Sequence, residues 1–422
     1  MSFIFNPIYS ASTGYTGGAV GTYNVLEHGA ARDGTGDLGA IINAAVTGGA
    51  RTILVPYIPA GYRVATSIAM GSGVRIYGVN GRPVLKRAAS TAVDMFGIYS
   101  KNDWRLEDLE IDGNSGNSGS GKGIYTNTCV NGTIRNLKVY GHTQDCLMNY
   151  AGSRLNVDGF EIGTTTLHGI YLDGHTKAII RNVYANGCGG FPIYGTLGAD
   201  HNQISHVHTD AAGLELITLF GDHNSINQVR ATNCQDNGIT LVGNYNELSN
   251  YTGYLNYHNG IHVNGNYNML SNIVCYNNNQ RDAGAGVHSG LKIESGYGGE
   301  AKGNQVSNVQ LYDTNGSPTQ NGGVTLGANG YNIWTNGGTI TVANPFCYYG
   351  NNAYSSTLGV LGAVAPTHTS GTFVSGACTL TFLFTTAVGF HATDNLCTNI
   401  KYRGNKTANK IDNASSGTNS GF

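Results

Sequence analysis

The sequence predicts an all-β parallel solenoid, a stack of short strands coiled rung upon rung, and three observations carry that reading. First, Asn202, Asn224, Asn246 and Asn268 stand 22 residues apart, each opening a related phrase: HNQISHV, HNSINQV, YNELSNY and YNMLSNI. Second, another phrase travels with the first, as HGIYLDG at 168–174, NGITLVG at 237–243 and NGIHVNG at 259–265. A fixed period near 20 residues means one unit stacked on itself, each copy buried by its neighbours. Third, the apolar residues alternate and are often β-branched, with Gly and Asn breaking every run, which excludes helical repeats and coiled coils. Composition agrees: Gly is 63 of 422 residues and only 11% of the chain is charged. Solenoid turns need positive φ, which Gly and Asn tolerate, and stacked Asn side chains can hydrogen-bond along a ladder.

Taken in order, residues 1–22 read as an irregular arm rich in Gly, Ser, Thr and Tyr. Residues 23–66 differ from everything later. YNVLEHGAARDGTGDLGAIINAAVTGG offers a strand, a Gly/Asp turn and one short helix around 37–47 with Asp37 near its N-terminus; TILVPYIPAGYRV adds a strand and a Pro-rich turn. A helix across the open end of a solenoid covers an edge that the first rung would otherwise expose. Rungs are expected over 67–342, interrupted by inserts at 113–122 (GNSGNSGSGK) and around 278–289 (NNQRDAGAGVHS). Gly238 and Gly260 each follow a ladder Asn by 14 residues (238 − 224, 260 − 246), but Gly290 follows Asn268 by 22, so that rung carries eight extra residues. Loops of this size on a rigid scaffold are where binding function collects. Past 342 the period fails, and 343–422 reads as a C-terminal cap or oligomerisation segment.

Net charge is −2 with no long basic run, which argues against nucleic acid or an anionic membrane as partner. The opening MSFIFNPIYSASTGYTGG has neither a basic n-region nor a long apolar h-region, and no apolar stretch is long enough to span a bilayer. Synthesis in a reducing cytosol follows. Eight cysteines are spread singly, without CxxC pairs, and read as reduced structural thiols rather than disulfides or a metal site. No cofactor is expected.

YNVLEHGAARDGTGD, AIINAAV, ILVP with PAGYRV, and GVRIYGVNGRPVLKR together resemble the opening of the pectate-lyase-like superfamily of right-handed parallel β-helices; LEDLEIDGN at 106–114 is similar to an early rung of its epimerases and tailspikes. The opening match covers roughly residues 23–87, and the periodicity extends it to about 340. The resemblance implies a right-handed helix and a polysaccharide ligand. Where alginate epimerases carry an Asp-Pro-His rung, this chain reads Asp145-Cys146-Leu147-Met148-Asn149-Tyr150, and only the later acid has a counterpart, Asp173. The polygalacturonase motifs are absent, as is a paired-aspartate Ca²⁺ signature. The bacteriophage tailspike polysaccharide depolymerases are the most similar group. That likeness implies a homotrimer and a virion (phage tail) or otherwise extracellular site of action, after synthesis in the cytoplasm.

Strand residues alternate, so G-I-x-L-x-G sets its x positions on the solvent face. Stacking gives a column of Tyr125, Tyr171, Tyr194, Thr240, His262, Lys292 and Thr325, beside a second of Asn127, Tyr150, Asp173, Asn264 and Glu294. A cleft lined by Tyr, Asp, Glu, His and Lys suits a sugar chain, whose apolar faces stack on aromatics while its hydroxyls seek polar groups. Tyr171, Tyr194, His168, His262, Lys292 and Glu294 are the candidate substrate-binding residues; exposed strands carry polar residues anyway, so each competes with a purely structural explanation.

Glu215 is the most unusual acid, standing between Leu214 and Leu216 where sibling rungs carry Asn or Thr. Counting 14 from Asn202 gives Leu216 and leaves Glu215 at the turn; counting from Gly213 places it in the Tyr/His column. Either register raises its pKa, as a general acid requires. Asp173, two rungs earlier, and Asp236, one rung later, are the rival catalytic partners. At roughly 4.8 Å per rung, Asp173 would lie about 9–10 Å away along the axis, near the inverting range for paired carboxyls. His262, Lys292 and Glu294, with His288 and Arg281 of the insert, suit a different reaction. β-Elimination from a uronic acid needs a base and a cation at the carboxylate. The expected function is therefore endo-acting depolymerisation of a bacterial capsular or exopolysaccharide by glycoside hydrolysis. A polysaccharide lyase and a non-catalytic polysaccharide receptor are the alternatives.

Overall fold

The computed structural model describes residues 21–278, residues 280, 290–293 and 304–312, and strand segments between 324 and 412. Parallel strands stack into a solenoid of about ten turns, with about 23 residues per turn. One sheet holds 18 strands and a second holds 12. The six strands of the second sheet that frame the site are β1 (Ile170–Asp173), β2 (Ile193–Gly195), β3 (Ile217–Leu219), β4 (Ile239–Leu241), β5 (Ile261–Val263) and β6 (Leu291–Ile293). Each pairs in parallel with the next. Their flanking aliphatics are fully buried and stack like on like, Ile217 on Ile239 on Ile261 and Leu219 on Leu241 on Val263. The core is thus a continuous column of branched side chains inside the coil.

The capping helix α1 runs Leu38–Thr47. Asp37 is its N-cap: Oδ1 accepts from the Gly39 N–H at 3.1 Å and the Ala65 N–H at 2.8 Å, while Oδ2 accepts from the Thr66 hydroxyl at 2.6 Å. One carboxylate therefore caps the helix and ties it to the first rungs.

The Asn ladder forms, in a different backbone state from the one expected. The left-handed residue is the one before each ladder Asn: His201, His223, Tyr245 and Tyr267 have φ of 58°, 57°, 55° and 56°. The Asn side chains turn inward and are almost fully buried. Oδ1 of Asn224 accepts from N–H and Nδ2 of Asn202 at 2.9 and 3.0 Å, and Asn246 does the same for Asn224 at 2.8 and 3.0 Å. The ladder continues from Asn246 through Asn268 to Asn304. The glycine of the second phrase is likewise needed for space: a Cβ at Gly238 would lie 2.0 Å from Tyr251 Oη, and one at Gly260 2.5 Å from Cys275 Sγ.

The period is 22 only in part. From Ile124 to Leu147 and on to Ile170 and Ile193 the step is 23 (147 − 124, 170 − 147, 193 − 170). The step from Ile261 to Leu291 is 30, eight more than 22, as expected. The ladder step from Asn268 to Asn304 is 36, so the same turn holds six further residues after β6 that the sequence reading missed. Beyond 342, strand Thr379–Phe384 still stacks in parallel on Thr339–Ala343, and Ile400–Gly404 stacks in turn on Thr379–Phe384. Cys129, Cys146, Cys188, Cys234 and Cys275 are buried and free, matching the expected structural thiols; the other three lie outside the described residues. No helix of the described residues is long and apolar enough to cross a membrane.

Candidate active site

The face column forms as read, Tyr125–Tyr171–Tyr194–Thr240–His262–Lys292–Thr325, with Met148 and Thr218 filling its gaps. Period-2 alternation fixes this, since the residues on either side are locked into the core. Over β2 to β6 the column floors a cavity of about 440 Å³, whose lining includes Tyr194, Thr218, Thr240, His262 and Lys292. Glu215, Asp236, Asn237, His258 and Asn259 come from the turns that precede β3, β4 and β5 and form one wall. Phe191, Phe220 and Val242 supply apolar surface.

Glu215 occupies the turn register, since pairing of Ile217 with Ile239 sets it opposite Asn237. The count from Gly213 that placed it in the Tyr/His column does not hold. Its surroundings also differ from the expected pair of leucines: Leu216 is in the core, whereas Leu214 is 36% exposed. Glu215 itself is 8% exposed. Its Oε1 accepts from Asn237 Nδ2 at 3.3 Å and from Thr240 Oγ1 at 3.1 Å. Burial, reinforced by the charge of Asp236, pushes its pKa up to about 7. Both side-chain donors serve the same oxygen, Oε1. Glu215 also ends a short ladder, because Asn259 donates to Asn237 Oδ1 at 2.7 Å and Asn237 donates to Glu215.

Asp236 lies on the next turn. Its Oδ1 meets His258 Nδ1 at 2.7 Å, and the backbone N–H of His258 donates to the Asp236 carbonyl at 3.2 Å. The cavity therefore unites a buried acid, a second carboxylate fixed by a histidine, and the His262–Lys292 pair. Asp173 is not among them. It ends β1, accepts from Thr196 Oγ1 at 2.9 Å and does not line the cavity. His168, Tyr171 and Tyr194 form an aromatic platform at one end, with His168 stacked on Tyr194 at 5.0 Å and Tyr194 on Phe191 at 4.8 Å. Burial lowers the pKa of His168 to about 4, so its ring is neutral near pH 7. Glu294, His288 and Arg281 lie outside the described residues.

Sequence reasoning missed His258, Asn237, Phe191 and Phe220. The 22-residue offset from Asp236 to His258 was available as a signal, but both sit in turns, where side-chain direction has no simple period. Among the described residues no cluster of three metal-ligating side chains gathers.

No protein-family model matches the chain, and no curated protein matches its sequence. Solved structures do match its fold. ORF18 of Geobacillus virus E2 has a TM-score of 0.56 at 15% identity, over 73% of this chain and 61% of that one, so the chain spans under two thirds of the viral protein. The mannuronan C-5 epimerase AlgE6 A-module of Azotobacter vinelandii has a TM-score of 0.56 at 14% identity, over 94% and 99%. The hyperthermoactive exopolygalacturonase of Thermotoga maritima has a TM-score of 0.57 at 10% identity, over 75% and 90%. The chain shares their parallel β-helix. Identities this low speak for the fold alone.

Proposed function

We propose that this β-helix is a glycoside hydrolase that depolymerises a bacterial capsular or exopolysaccharide, with Glu215 as general acid and Asp236 as its partner carboxylate. The observation that carries the reading is the buried carboxyl of Glu215, its pKa pushed up to about 7 by burial, in one cavity with an Asp236 held by His258. Glu215 gives its proton to the leaving glycosidic oxygen while the Asp236 carboxylate bonds the anomeric carbon. Water then displaces Asp236, returning its proton to Glu215 and leaving a hydroxyl on the sugar. Asp236 is one rung, about 4.8 Å, from Glu215 and one residue out of register with it, so the pair lies nearer the roughly 5–5.5 Å of retaining enzymes than a two-rung pair would. The two-rung Asp173 pairing would have pointed to inversion. Tyr194, Phe191 and His168 offer ring faces and edges to the sugar, and His262 and Lys292 hold its polar groups.

β-Elimination is the second reading, favoured by His262 and Lys292 in the same cavity. One assay separates them. The protein is incubated with a panel of bacterial capsular and exopolysaccharides while reducing ends and the ultraviolet absorbance of unsaturated uronates are followed together. Reducing ends alone, with a first product of retained configuration by NMR, support hydrolysis; the absorbance would transfer the chemistry to the His262 and Lys292 face. Binding without product would make this a polysaccharide receptor. A tailspike-like setting on a virion, and a homotrimer, belong to the same proposal and are supported by the resemblance of residues 23–87.

A further inference from the structure

A second cavity of about 510 Å³ abuts the first, sharing Phe220, Val242 and Asn264 with it. It lies where β3, β4 and β5 end, and is floored by Asp200, Asp222, Asn244 and Asn266. The carboxylates of the first cavity lie where the same strands begin. Joined, the two make one trough running along the strands, at right angles to the solenoid axis.

Three features of this trough are unexplained by the fold. Thr218 lies on its floor only 4% exposed, and its Oγ1 has no hydrogen-bond partner within the protein. Asn264 Oδ1, where the two cavities meet, is likewise unpartnered. Buried polar atoms are rarely left so, because each costs about 1–3 kcal/mol. The third feature is a ladder with the wrong residue. Asn266 donates through N–H and Nδ2 to Asn244 Oδ1 at 2.8 and 3.0 Å, and Asn244 donates to Asp222 Oδ1 at 2.6 and 3.3 Å. At Asp222 and Asp200 an Asn would add one more ladder donor per rung. The chain instead places two carboxylates one rung apart, and the ladder bonds land only on their Oδ1 atoms. No Lys, Arg or His lines this second cavity among the described residues.

The geometry points to a substrate strand lying along the trough, with its reacting bond at Glu215 and Asp236 and its further sugars passing over Thr218 and Asn264 onto Asp222 and Asn244. These distal sugars are uncharged: hydroxyls donate to the carboxylates, whereas uronate groups would be repelled. From 215 to 222 the strand spans at most about 23 Å at 3.3 Å per residue, the length of roughly four linked hexoses. The inference rests on the polysaccharide reading above and adds the direction and charge class of the ligand.

Binding by the full chain carrying Glu215→Gln tests it, with neutral gluco-, galacto- and manno-oligosaccharides of increasing length and oligogalacturonates and oligomannuronates of matched length. Affinity for a neutral series should rise to about four or five sugars and then level. Asp222→Asn and Asn264→Ala, added singly, should each lower pentamer affinity about tenfold, the worth of one good hydrogen bond, and leave dimer affinity unchanged. Asp222→Asn should melt no lower than its parent, because it restores a ladder donor, so lost affinity cannot be lost folding. Tyr125→Ala, four rungs away along the axis, should change nothing. Uronates binding best, with Asp222→Asn without effect on neutral sugars, overturns the inference and leaves the polysaccharide reading standing. A length dependence abolished by Tyr125→Ala does the same, since the glycan then follows the axis. No binding and no turnover with any sugar removes both.

Discussion

Glu215 costs the fold something that a neutral residue would not. A carboxyl ordinarily near 4.5 and here near 7 must be ionised against its surroundings in alkaline solution. Its folded pKa lies above the unfolded one, so its stabilising share is complete below about pH 4.5 and is lost as pH rises through 7. Glu215→Gln should therefore melt higher than the parent at pH 8, by about 3 kcal/mol, with the gap closing by pH 4.5; thermal scans at both pH values check it. Turnover should fall above about pH 7 as the acid loses its proton, and a pH–rate profile reads this directly. His258→Ala should reduce turnover by one to two orders of magnitude, roughly the effect of losing a positioned hydrogen bond, with a smaller change in KM. Much of this residue-level picture was legible beforehand. Tyr194, Thr240, His262 and Lys292 fell in one column because strand alternation leaves no choice of direction. That Glu215 shares its cavity with Asp236 and His258 rather than Asp173 depended on turns, where a one-residue offset redirects a side chain.

Among the elements, the inner Asn ladder joins rungs that otherwise meet through strand pairing and stacked aliphatics. Asn246 accepts from both the N–H and Nδ2 of Asn224 and donates to the Gly221 carbonyl at 3.1 Å. Asn246→Ala would strand those buried groups, and destabilisation of about 3 kcal/mol is expected in chemical denaturation. Asn272 sits on a ladder with Asn250 that is exposed to solvent. Asn272→Ala should cost about 1–2 kcal/mol, chiefly from placing Ala at its left-handed φ of 55°, since water replaces the lost partner. The ladder itself was plain in the sequence, because the same residue recurs at one spacing. Its conformation was not: composition alone could not tell that His and Tyr would take the left-handed position and Asn the buried one. The six residues after β6 were legible but overlooked: NQVSNV at 304–309 repeats the NQISHV of 202–207 and sets the next ladder Asn 36 residues after Asn268.

At the scale of the whole molecule, each rung among the described residues packs chiefly against the rungs beside it, so stability is distributed along an axis rather than about a centre. Amide hydrogen exchange should be slowest for Asn224 and Asn246, which have laddered rungs on both sides, and faster toward Thr22–Asn24. Mass-spectrometric exchange on peptides covering 200–268 checks this gradient. The identity of the step from Asn224 to Asn246 and from Asn246 to Asn268 has a further consequence. A stretch of 22 residues cut at Asn224 and rejoined at Asn246 begins and ends in the same place on the coil, so a duplicated copy meets the old chain in register. Such a chain can be lengthened by whole 22-residue units without a misfit at the joint. Because Asp236, His258 and His262 lie between residues 224 and 268, each added rung would also widen the cavity beside Glu215 along the axis.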